Sequence, residues 1–189
     1  MTAEGTKESI LNTALDLFSQ KGYAAVSMRD ISGAVGIRTS SIYYYFKSKQ
    51  DIFDALIEKA EEVTNGLTQN FFVALGKTKE IKCKDFVNVG KLYVTGYLNN
   101  DKVDKLLKTL ECERFHDEKA DQIWRKMLFE DPIVHAKAVF DELIKRGMIK
   151  DKDAGMLASE YHAIIMLGYF TNDIDKFGKM LTLFHRRTF

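Results

Sequence analysis

Proline is nearly absent from this sequence: Pro132 is the single one among 189 residues. Pro-rich linkers and polyproline ligands are thereby excluded, and helices can run long without a breaker. Two cysteines, Cys83 and Cys112, are too few for a disulfide scaffold and form no Cys-x-x-Cys pair. Neither sign of charge is in excess, since 28 basic and 27 acidic side chains leave a net charge of +1. No global field therefore advertises nucleic acid or a membrane surface. The longest apolar run, residues 163–170, has eight residues including a glycine, against about 20 for a membrane-spanning helix. The first nine residues are polar and lack the apolar core of a signal peptide. A soluble protein of the reducing cytoplasm is expected, with no membrane association.

Chemistry-bearing motifs are scarce as well. There is no Gly-x-Ser-x-Gly, no phosphate-binding loop and no paired-carboxylate arrangement. Cys112 and His116 lie four apart on one predicted helix, with Glu111, Glu113 and Asp117 close by, but no second cluster completes a ligand set. The expectation is no enzyme activity, no metal and no cofactor.

What is present is helical periodicity almost throughout, in a chain of 46% hydrophobic and 29% charged residues. A first helix is predicted from near Thr6, burying Ile10, Leu11, Ala14, Leu17 and Phe18 and stopping at Gly22. Ser27-Met28-Arg29-Asp30 reads as a capping box that opens a short helix through Val35. Gly36 supplies a left-handed turn, and a third helix is predicted from about Thr39, a candidate cap, to Phe46. Ile31, Val35, Ile37, Ile42 and Phe46 are the expected core of this small unit. Ser48-Lys49-Gln50-Asp51 repeats the start signal and opens a long bridging helix. Beyond a Lys-rich loop at 76–84, helices are predicted over roughly 85–98, 102–115 and 118–130. Asp131-Pro132 then caps a further helix to about Arg146, and two more start near Asp151–Asp153 and at Asp173.

Two short helices joined by a turn at Gly36, with a third before them, make a helix-turn-helix unit. Its second helix must bring small polar side chains to base edges in the major groove, and Thr39-Ser40-Ser41 suit that place. Tyr43, Tyr44 and Tyr45 offer phenol hydroxyls behind them, and Lys47 and Lys49 offer charge.

The run Ser27-Met28-Arg29-Asp30-Ile31 through Gly36-Ile37-Arg38-Thr39-Ser40-Ser41-Ile42-Tyr43-Tyr44-Tyr45-Phe46 resembles the N-terminal signature of the TetR family of transcriptional regulators. The likeness extends over about residues 6–57. It implies a dimeric one-component regulator, most naturally a repressor. Two heads would grip a pseudo-palindromic double-stranded operator until a small hydrophobic or amphipathic effector in the C-terminal body releases them. It also places Arg29, Thr39, Ser40 and Tyr43 at base edges, and Ser27, Ser41, Tyr44, Tyr45 and Lys49 at phosphates. Arg38 stands where a Ser cap is common and sets a long cation beside the groove; Tyr45 stands where His is common. The alternative is a helix-turn-helix protein answering to a protein partner or to no ligand, or acting as an activator.

The expected fold is therefore all-α. A three-helix DNA-binding domain over residues 1–48 precedes a larger effector-binding and dimerisation domain over 49–189. The aromatic and Met wealth of the latter fills a core, and Phe71, Phe86, Tyr93, Tyr97, Phe115, Trp124, Met127 and Met166 are the candidates for lining an apolar effector pocket. The segment 154–170 is apolar nearly all round, so it must be buried on both sides. That makes Leu157, Tyr161, Ile164, Ile165 and Gly168, with Phe140 of the preceding helix, the expected homodimer interface.

Overall fold

The computed structural model describes residues 3–150 and 153–189; Asp151, expected near a helix start, and the Phe71 side chain lie outside the described residues. The described chain is all-α. Its helices are α1 (Ala3–Lys21), α2 (Met28–Val35), α3 (Thr39–Tyr45), α4 (Lys49–Gly76), α5 (Cys83–Leu92), α6 (Asp101–Glu113), α7 (Glu118–Arg125), α8 (Asp131–Lys145), α9 (Ala154–Thr171) and α10 (Ile174–Thr188). Two π-helical stretches, Tyr93–Leu98 and Lys126–Glu130, continue α5 and α7. No helix among the described residues is long and apolar enough to cross a membrane.

Backbone proximity divides the chain into two compact units, residues 1–65 with 101–124 and residues 66–100 with 125–189. The division expected at 48/49 follows the motif; this one follows packing, and α4 and α7 cross it. In the first unit α1 packs on both α2 and α6, so its buried face is wider than one stripe. Leu15 is buried with Ile10, Leu11, Ala14 and Phe18, while Leu17, expected inside, is half-buried. Lys102 reaches Glu8 at 3.1 Å and Lys105 reaches Asp16 at 2.7 Å, tying α6 to α1.

In the second unit α9 packs against α8 and α10, and α10 against α5. Phe86 stacks on Phe184 at 5.8 Å, and Tyr161 joins Phe86, Phe140 and Phe184 at 5.5–6.1 Å. Each such ring removed from water contributes about 1.5–3 kcal/mol. Gly168 is small because of this packing: a Cβ there would sit 2.6 Å from the Phe177 ring of α10. Asn172, at φ 52°, ends α9, and Asp173 accepts from the Lys176 amide to start α10.

Pro132 explains one irregularity. It has no N–H to give the carbonyl four residues back, and its ring crowds that carbonyl, which belongs to Leu128. The fresh start expected at Asp131 does not occur. Glu130 and Asp131 are both right-handed helical, the Asp131 carboxylate pairs with Lys126 at 2.7 Å, and the widened turn Lys126–Glu130 runs straight into α8. The Leu128 carbonyl takes its hydrogen bond from Nε2 of His162 on α9, at 2.7 Å. A carbonyl can only accept, so the ring carries its proton on Nε2. Burial pushes the His162 pKa below its usual 6.5, outweighing the carbonyl's opposite effect.

The unfolded chain therefore binds a proton at His162 at a pH where the folded chain does not. The stability is present in full above about pH 6.5 and declines as pH falls through and below it, at a slope approaching 1.4 kcal/mol per unit. Thermal melts at pH 7.5 and 5.5 should show a larger acid loss for the wild type than for His162→Gln, whose amide can still donate to Leu128.

Candidate nucleic-acid interface

The helix-turn-helix is built by local hydrogen bonds. The Ser27 hydroxyl accepts from the Asp30 amide at 3.2 Å, and the Asp30 carboxylate accepts from the Ser27 amide at 2.8 Å and from its hydroxyl at 2.5 Å. The Ser27 hydrogen bond, aided by the backbone one, holds the Asp30 carboxyl below its usual range. Gly36, at φ 79°, closes α2, and the Ile37 amide reaches back to the Ser32 carbonyl at 3.0 Å. The Ser32 and Thr39 hydroxyls meet at 3.1 Å across the turn. Arg38, not Thr39, occupies the cap position of α3 and gives no side-chain cap bond. Ser48 and Asp51 form the second start signal, with the Asp51 carboxyl held low mainly by the Ser48 hydroxyl, 2.6 Å away.

Ile31, Ile42 and Phe46 are buried as expected, while Val35 and Ile37 are half-buried. Ile42 pins α3 inward, which turns Arg38, Thr39, Ser40, Ser41, Tyr43 and Tyr44 outward; Tyr44 is 82% exposed and meets Tyr45 edge-on at 5.1 Å. Arg29 and Lys47 are exposed on the neighbouring segments. Asp30 and Asp51 are exposed too, but both carboxylates accept cap hydrogen bonds; the other exposed side chains named here are cations, hydroxyls and phenols.

Lys49 lies elsewhere. Its Nζ donates to the Tyr23 carbonyl at 2.5 Å and sits 4.2 Å from the centre of the Tyr23 ring. Burial lowers its pKa, against the raising effect of Glu113. It closes the turn between α1 and α2, as the Ser27 hydroxyl closes the start of α2.

The described candidate pocket residues are divided between the two units. Phe86 belongs to the aromatic cluster of the second unit, and Tyr93 stacks on Tyr97 at 5.3 Å in the π-helical stretch. Burial raises the pKa of both Tyr93 and Tyr161 well above the usual phenol range. Met166 is buried and Met127 half-buried. Trp124 and Phe115 lie in the first unit: Trp124 is buried under the Arg114 guanidinium, 3.6 Å from its ring, and Phe115 is 77% exposed. An open groove of about 620 Å³ between α5 and α10 is lined by Val87, Lys91, Lys179, Thr182, Leu183 and Arg186, among others. None of the candidates lines it.

Of the expected interface residues, Phe140, Leu157 and Ile165 are buried in the chain's own core, Gly168 is filled by Phe177, and Tyr161 and Ile164 are half-buried. The large solvent-facing apolar side chains of α9 and α10 are Met156, Leu167, Phe170 and Leu183. Among the described residues no His, Cys, Asp and Glu group could hold a metal.

A head of two short helices around a glycine turn, the first capped by Ser27 and Asp30 and the second presenting polar side chains, has the form of a helix-turn-helix. Residues 10–56 match the model of bacterial regulatory proteins, tetR family. The HTH-type transcriptional regulator AcrR of Shigella flexneri is 41% identical over 59 residues, 31% of this chain and 27% of that protein. The biofilm operon icaADBC HTH-type negative transcriptional regulator IcaR of Staphylococcus aureus (strain Newman) is 34% identical over 61 residues, 32% of this chain and 33% of its own. The chain thus matches a third or less of these curated relatives. Solved structures cover nearly all of it. The SmeT–triclosan complex aligns at TM-score 0.73 and 16% identity over 95% of this chain and 90% of that one. GusR of Salmonella enterica aligns at 0.69 and 17% over 97% and 94%. Residues 10–56 thus match the tetR family model, and the described residues share the fold of the solved SmeT and GusR structures.

Ser27→Ala removes one half of the α2 cap. It should cost about 0.5–2 kcal/mol of stability in urea melts, and Ser27→Asp, which keeps an acceptor, should recover most of it.

Proposed function

We propose that this protein is a one-component, DNA-binding transcriptional regulator, a homodimeric repressor that a small hydrophobic or amphipathic molecule releases from a pseudo-palindromic operator. The observation that carries the reading is α3 with Arg38 at its cap position: one buried anchor, Ile42, and an outward surface of hydroxyls and phenols beside that one cation. Arg29, Arg38, Thr39, Ser40 and Tyr43 read base edges, and Ser41, Tyr44, Tyr45 and Lys47 hold phosphates. The repressor sense is supported by IcaR, named a negative regulator, and the effector by the triclosan bound to SmeT. The second unit, with its Tyr93–Tyr97 stack and Met166, is where such a molecule would act.

Selection from a random duplex pool tests the reading. The wild type should enrich a two-fold symmetric site with half-sites about 34–36 Å apart, or a multiple of that. Arg29→Ala and Ser40→Ala should relax base preference at about 1–3 kcal/mol per lost contact. Lys47→Ala should weaken every sequence alike and flatten the salt dependence by about one unit of slope. A wild type that enriches nothing would count against DNA reading.

The dimer follows from the exposed stripe of α9 and α10 in the second unit. Water is a poor neighbour for Met156, Leu167, Phe170 and Leu183 together, and a second copy covers them by two-fold symmetry. Leu167→Glu with Phe170→Glu should give folded monomers by light scattering and abolish binding to the enriched duplex. Ile165→Glu, in the core, should instead unfold the second unit. Dimers that survive the double substitution would refute this placement.

A further inference from the structure

Tyr23 follows Gly22, where the chain leaves α1 at φ 82° and turns toward α2. Both of its backbone polar groups are held by charged side chains from other helices. Its N–H donates to Oε1 of Glu113, the last residue of α6, at 3.1 Å across 90 residues of sequence. Its carbonyl accepts from Lys49 Nζ at 2.5 Å. The phenol donates to Gln50 Oε1 at 2.9 Å, and the ring packs against Phe18 and Phe53 at 5.1 and 4.9 Å. Gln50 in turn donates to Asp54, which also pairs with Lys119 beyond the end of α6.

Backbone groups at a turn usually bond to water or to near neighbours in sequence. Here a carboxylate and an ammonium take the two ends of one residue, and charge-assisted hydrogen bonds are about twice as strong as neutral ones. The residue they fix is four positions before Ser27, the cap that starts α2. Its direction sets where α2 and α3 point.

The geometry points to Glu113 as a positioning residue for DNA reading. It touches no base or phosphate, but it aims the recognition helix by holding the Tyr23 amide. This rests on the DNA-binding reading above and extends it to a helix far from the motif in sequence. Segment 101–124 is then part of the reading head, and not only of an effector body.

The test uses the full chain, a duplex enriched by the wild type from a random pool, and an unselected duplex of equal length. Glu113→Ala should lower affinity for the enriched duplex about ten-fold, leave the unselected duplex within about two-fold, and speed hydrogen exchange at the Tyr23 amide. Glu113→Gln keeps an acceptor and should restore both binding and protection. Asp16→Ala breaks another α1–α6 tie, to Lys105, without touching the turn, and should bind within about two-fold of wild type. The proposal is overturned if Glu113→Ala binds the enriched duplex as tightly as wild type. It is also overturned if Asp16→Ala loses as much as Glu113→Ala, because the effect would then be general packing, or if the two duplexes lose affinity equally. A wild type that enriches no duplex overturns the DNA reading and this proposal with it; the other failures leave that reading standing.

Discussion

The direction in which the chain leaves α1 governs everything after it in the head. A single residue, Tyr23, carries that constraint. Its amide, carbonyl, phenol and ring are each held by a different partner, drawn from α6, α4 and the aromatic pair Phe18 and Phe53. With the turn fixed, the cap at Ser27 starts α2 in one direction, Gly36 reverses it, and the buried Ile42 rolls α3 so that its polar face is outward. Removing any later part leaves the earlier ones in place. Loosening Tyr23 would leave α2 well capped but with no defined aim, because caps specify where a helix begins and not where it points.

The second unit solves a different problem, a proline inside a long helical run. Pro132 cannot donate to the Leu128 carbonyl, and a buried hydrogen bond left unmade costs about 1–3 kcal/mol. His162 supplies the proton from α9. One hydrogen bond thus ties the widened turn to the helix that packs beside α8. The same unit keeps Gly90 and Gly168 small because Leu181 and Phe177 of α10 occupy the space a side chain would need. Gly168, expected at the homodimer interface, is accounted for by packing within one chain.

Much of the head was legible in its residues because its signals are local. Ser27 and Asp30, Ser48 and Asp51, and Gly22 and Gly36 act within four residues of themselves, so spacing alone fixed the caps and turns. The number and order of helices followed from periodicity for the same reason. The π-helical stretches did not, since they share the apolar spacing of an α-helix to within a residue.

The sequence by itself determined an all-α chain with a tetR-type helix-turn-helix head and the set of polar side chains on α3. Only the tertiary structure decided what Lys49, expected at a phosphate, touches within its own chain: the Tyr23 carbonyl, 26 residues away in sequence. It also decided that Phe140, Leu157 and Ile165 are core and that Met156, Leu167 and Phe170 meet water. A helix apolar on every side does not announce which side its own chain will cover. The Glu113 and His162 contacts span 90 and 34 residues. No periodicity encodes such a pairing, because it depends on how helices stack and not on what any one of them contains.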